Sequence, residues 1–128
     1  MIEKTQSKQF IILASLSAMI ATILGAFVAH VLKEHLSPYQ LDIFKTGIFY
    51  HFTHSLTLLC VGLLLLQFKK RIFYFAGWFF FAGILLFSGS LYLLVFTNVR
   101  AFGAITPLGG LSFLLGWFFL AYGTYQSI

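Results

Sequence analysis

Residues 72–97 read IFYFAGWFFFAGILLFSGSLYLLVFT, an uncharged run held between Lys69-Lys70-Arg71 on one side and Asn98 and Arg100 on the other. A helix needs about 20 apolar residues to cross the roughly 30 Å of hydrocarbon in a bilayer, so this run reads as a membrane span. Three further stretches qualify: about 10–32, closed by Lys33-Glu34-His35; about 48–68, closed by the triple-basic turn; and about 106–125. Composition agrees. Charged residues make up 9% of the 128 and apolar residues 60%, whereas about a quarter of a water-soluble domain is charged. So few charges cannot cover a surface facing water. The expected fold is all-α: a four-helix transmembrane bundle with short loops, one domain over residues 1–128. The first stretch is longer than the roughly 7–15 apolar residues of a signal peptide core, so it is expected to remain as a span.

Ser37-Pro38-Tyr39-Gln40 combines an N-cap residue, a proline at the first helical position and a glutamine three residues after the cap. That spacing predicts a helix start, because serine and glutamine can satisfy each other's free backbone N–H groups. Leu41 to Thr46 mix Asp42 and Lys45 with Ile43 and Phe44, which suits a short interfacial helix before the second span, with Gly47 as the bend. Thr106-Pro107 repeats the cap-and-proline logic at the fourth span.

The formal net charge is +5. Because the basic residues fall at span ends, membrane topology accounts for them and no nucleic-acid partner is expected. Lys4, Lys8, Lys69, Lys70 and Arg71 flank one face, against Lys33, Lys45 and Arg100 on the other. This bias predicts both termini on the cytoplasmic side. The lone cysteine, Cys60, stands in an apolar run and is expected to act as a small buried hydrophobe.

Inside a bilayer, water does not drive helices together, so close packing depends on small residues and a few hydrogen bonds. The first span carries Ala14, Ala18, Ala21, Gly25 and Ala29; the fourth carries Gly109, Gly116 and Gly123, seven apart. Both stripes are expected inside the bundle or at a dimer interface.

Polar groups in hydrocarbon are costly and mark the protein interior. Up-and-down topology brings His30, Tyr50, His51, His54, Ser88, Ser90, Tyr92 and Thr106 to one level, in the leaflet opposite the termini. His51 and His54 are three apart and so share a helix face. Three readings are open. The residues could hydrogen-bond one another and fix helix register. They could form a site for a small molecule, ion or quinone. Or His30, His51 and His54 could bind a metal or haem iron, imidazole being a common nitrogen ligand. No cofactor is predicted, and metal or haem is the least favoured. No carboxylate stands in the spans to complete a hydrolytic triad, so no catalytic residue is assigned.

Several of these stretches form a set: Gly25-Ala26-Phe27-Val28-Ala29-His30, then Thr46-Gly47 with Tyr50, His51 and His54, Phe87-Ser88-Gly89-Ser90-Leu91-Tyr92, and Ile105-Thr106-Pro107 with Gly109-Gly110, followed by Gly116-Trp117. In this order, over nearly the whole chain, they resemble the family called domain of unknown function 423, or transmembrane protein 256-like. Val28 departs from it, since members commonly carry glycine there. The resemblance implies a small multi-span membrane protein, bacterial in many members, and implies no reaction. The functional expectation is a non-enzymatic structural or partner-binding component of the bacterial plasma membrane. Its partners would be the lipid bilayer and other membrane proteins or a second copy of itself.

Overall fold

Ser37 and Gln40 form the expected capping box. The Gln40 N–H donates to Ser37 Oγ at 3.1 Å, and the Ser37 N–H donates to Gln40 Oε1 at 3.0 Å. In the computed structural model, which describes residues 4–128, helix α2 starts there and runs unbroken through Pro38–Phe68. The separate interfacial helix and the bend at Gly47 are therefore corrected: the interfacial residues are simply the first turns of α2. Glycine at position 47 serves another purpose. A Cβ there would lie 2.8 Å from the Tyr92 ring, so its absence lets that ring rest against α2.

Helix α1 occupies Lys4–His30. The third span is composite: α3 (Arg71–Gly83), a π turn over Ile84–Ser88, and α4 (Gly89–Thr97). A 3-10 turn at Arg100–Ala104 leads into α5 (Thr106–Ser127). Thr106 does not cap α5, as its position suggested; its hydroxyl is committed to Ser90. Lys69 and Asn98 adopt left-handed backbone conformations (φ 51° and 56°) where α2 and α4 end. Among the described residues there is no strand, and four helical segments are long and apolar enough to cross a membrane.

The helices pack in chain order, α1 on α2, α2 on the third span, and the third span on α5. Ser7, Phe10, Ala14, Ser17, Ala21 and Val28 form the buried face of α1. Steps of three, four and seven keep such a set on one side of a left-handed crossing. This face takes in only part of the small-residue stripe: Ala14 and Ala21 are buried, Ala18 and Gly25 are half-buried and Ala29 is exposed. Val28 is buried against Phe44 and Val95, so its bulk is accommodated. The α5 glycines do face the third span. A Cβ on Gly116 would meet the Phe80 ring at 2.9 Å, and one on Gly123 would meet Ile72 Cγ2 at 2.7 Å. Gly109 seats directly on the backbone of Phe87, inside the π turn. Ile12, Leu16 and Ile20 of α1 and Leu111, Leu114 and Phe118 of α5 stay exposed, which suits a fold whose solvent is lipid. Cys60 is exposed as well, contrary to the buried position expected for it.

Candidate functional site: a closed polar network

His51 and His54 occupy neighbouring turns of α2, yet their rings serve different helices. His51 Nε2 lies 3.0 Å from Ser17 Oγ of α1, and its Nδ1 lies 2.9 Å from the Tyr92 hydroxyl of α4. Ser17 Oγ is 2.6 Å from Ser55 Oγ, and the Ser55 hydroxyl donates to the His51 carbonyl at 2.7 Å. For a neutral imidazole these partners fix every proton. Because the Ser55 proton goes to a carbonyl, which can only accept, Ser17 must donate to Ser55. His51 Nε2–H then donates to Ser17, and the Tyr92 hydroxyl donates to the bare Nδ1. The result is a one-way chain from α4 through α2 and α1 and back to the α2 backbone.

His54 faces α5. The Trp117 Nε1–H donates to His54 Nε2 at 3.1 Å, and His54 Nδ1 lies 2.8 Å from the Tyr50 carbonyl. An indole can only donate and a carbonyl can only accept, so Nδ1 carries the proton. The imidazole also stacks on Phe113, with centroids 3.6 Å apart and planes 9° from parallel. Tyr50 supplies that carbonyl, while its ring packs on Phe87.

The remaining polar residues join helices in the same way. Ser88 donates to the Gly47 carbonyl at 2.7 Å, tying the π turn to α2. Ser90 donates to the Phe87 carbonyl, leaving its oxygen to accept from Thr106 at 2.6 Å. Ser112 of α5 donates to the Phe79 carbonyl at 2.7 Å. A cleft of about 400 Å³ between α1 and the third span has Ser17, His51, Ser88 and Tyr92 among its lining residues. Their polar atoms are already joined to one another or to backbone.

His30 does not join this network. It is exposed at the end of α1. Among the described residues no three His, Cys, Asp or Glu side chains come together as a metal-ligand set, so the triad of His30, His51 and His54 is not assembled. The reason is rotational: α1 turns Ser17 and Val28 inward and His30 outward. His51 and His54 diverge as well, and each of their ring nitrogens already has a hydrogen-bonding partner. Sequence reasoning missed Ser17, Ser55 and Trp117. Ser17 was detectable in principle, seven residues from Phe10 and four from Ala21, on the rhythm that buries α1.

The profile of the DUF423 family, described as proteins of unknown function, matches residues 24–110. The chain is 43% identical over 119 residues to a UPF0382 membrane protein of Staphylococcus saprophyticus, covering 93% of this chain and 98% of the relative. A UPF0382 membrane protein of Staphylococcus epidermidis is 45% identical over 117 residues, 91% and 95% of the two chains. One of Staphylococcus haemolyticus is 39% identical over 121 residues, 94% and 98%. No solved structure matches the chain.

Proposed function

This chain belongs to the DUF423 family of membrane proteins, and on that premise we propose that it is a non-enzymatic component of the bacterial plasma membrane. It works through the faces it turns to lipid and to other membrane proteins. One observation carries this reading: around His51 and His54 the buried polar network is closed, with donors and acceptors matched across all four spans, and the buried side-chain oxygen left without a partner among the described residues, Ser7 Oγ, lies near the other end of α1. A binding or catalytic site keeps some polar groups free for its ligand, whereas matched groups hold helices in register. The network is thus a lock, and the lipid-facing surfaces remain for interaction. The excess of basic residues at the Lys69 turn and the first helix supports an orientation with both termini in the cytoplasm.

Three measurements test this. Purified protein should show no Soret band and no stoichiometric metal; either one would replace the lock with a ligand site. A photo-crosslinking residue at lipid-facing Leu114 should capture a membrane protein or a second copy in native membranes. Crosslinks to lipid alone would sink the protein-partner reading. Reporter fusions at Met1 and Ile128 should both report the cytoplasm.

A further inference from the structure

At the end of the bundle away from the Lys69 turn, α1 and α2 leave a groove of about 720 Å³ between them. Its walls include Gly25 of α1 and Ile48 and Phe52 of α2, and Lys33 and Lys45 line it as well. The groove is open where α1 has no side chain to fill it: a Cβ on Gly25 would meet only Ile48 Cγ2, at 3.9 Å. Lys33 follows the end of the first span, and Lys45 lies two turns into α2. From Lys45 to Thr53, another lining residue, eight residues of helix cover about 12 Å. That is close to the depth of one leaflet, roughly half of a 30 Å core.

We propose that this groove holds an acyl chain of one anionic phospholipid, with the lipid phosphate held by Lys33 and Lys45. The proposal deepens the reading above, on which it rests for interaction through the lipid-facing surface, by naming one lipid partner. Charge complementarity selects the occupant. Both lysines are exposed, and their long stems can lie along the apolar wall while the ammonium groups reach the headgroup level. The acids nearest in sequence, Glu34 and Asp42, are not among the lining residues. The groove therefore presents two positive charges above an apolar slot. A zwitterionic lipid would bring its own cation to the same place, whereas a net anionic one would not.

Native mass spectrometry of protein released from micelles holding equal phosphatidylglycerol and phosphatidylcholine tests this. The wild type should retain one phosphatidylglycerol in preference to phosphatidylcholine by roughly tenfold or more, given two basic residues at the membrane surface. Lys33→Gln/Lys45→Gln should abolish the preference, and Lys33→Arg/Lys45→Arg should keep it. Gly25→Leu, which fills the slot, should lose the retained lipid of either kind while keeping the wild-type melting temperature. Lys69→Gln/Lys70→Gln, at the other membrane face, should change nothing. No retained lipid, no anionic preference, or a preference that survives the glutamine pair overturns the proposal. Unfolding of Gly25→Leu would mean that the slot is already packed, and retention by a folded Gly25→Leu would reduce the effect to surface charge; each overturns it too. Crosslinking from Leu114, on α5, is read separately, so the lipid site and the protein-partner reading can fail independently.

Discussion

Helices α5 and α1 both carry small residues at regular spacing, but the two seams they build differ. Along α5 every glycine of the seven-residue series meets the third span: Gly109 the Phe87 backbone, Gly116 the Phe80 ring, Gly123 Ile72 and Phe73. Along α1 the corresponding stripe is only partly used, and Gly25 borders an open groove. There the contact with α2 is made by Phe10, Ala14 and Ala21 and is tied at mid-membrane by Ser17 to His51 and Ser55. A small residue in lipid permits close approach without compelling it, because no water is released by closing the gap. What closes the α5 seam is the bulk on the opposite helix, Phe80 and the widened turn at Phe87, shaped to fill it.

Substitutions that reverse this contrast would break it. The largest effect is expected at Gly109. A leucine there must displace backbone, not a movable side chain, so Gly109→Leu should yield no folded protein, as judged by size-exclusion profile in mild detergent. Normal yield and melting temperature would show that the third span can slide away from α5. Gly116→Leu comes next, at roughly 1–3 kcal/mol of overpacking, because the Phe80 ring can yield somewhat. It should lower the melting temperature more than Leu120→Ala, which trims a side chain only partly buried at the same seam. Equal effects would mean the seam is looser than its geometry.

Trp117→Phe keeps an aromatic ring but removes the N–H that reaches His54, together with part of the indole that packs on Phe80. Hydrogen bonds between membrane helices average about 0.6 kcal/mol and reach about 1.7, so a modest fall in melting temperature is expected. Tyr92→Phe should act similarly on His51, from the α1 side of α2. If the two together lower stability by no more than either alone, the halves of the network are coupled. The smallest effect belongs to Gly25→Leu, expected within about 0.5 kcal/mol of wild type. A large loss there would erase the difference between the seams.

The four spans, the capping box at Ser37 and the inward α5 glycines were legible in the sequence because each depends on local chemistry. Twenty-odd uncharged residues require lipid, a Ser-x-x-Gln spacing satisfies its own turn, and a period of seven tracks one helix face. The π turn at Ile84–Ser88 has no such local signal, since its form is matched to Gly109 on another helix. The order of the spans suggested that polar residues of different helices would meet, but not which of them do. His30 was expected in the cluster and Ser17 was not, and the rotation of α1 excludes the first and enlists the second.

The sequence by itself therefore determined that this protein lives in the bilayer and crosses it with four helices. Only the tertiary structure decided that His51 and His54 turn to different helices, that their four ring nitrogens are matched to Ser17, Tyr92, Tyr50 and Trp117, and that α1 borders an open groove at Gly25 whereas Gly109, Gly116 and Gly123 of α5 are filled by the third span. The reason is physical. Insertion into lipid depends on the summed polarity of each segment, whereas hydrogen-bond partnership depends on a few tens of degrees of helix rotation, which is set by the shape of the neighbouring helix.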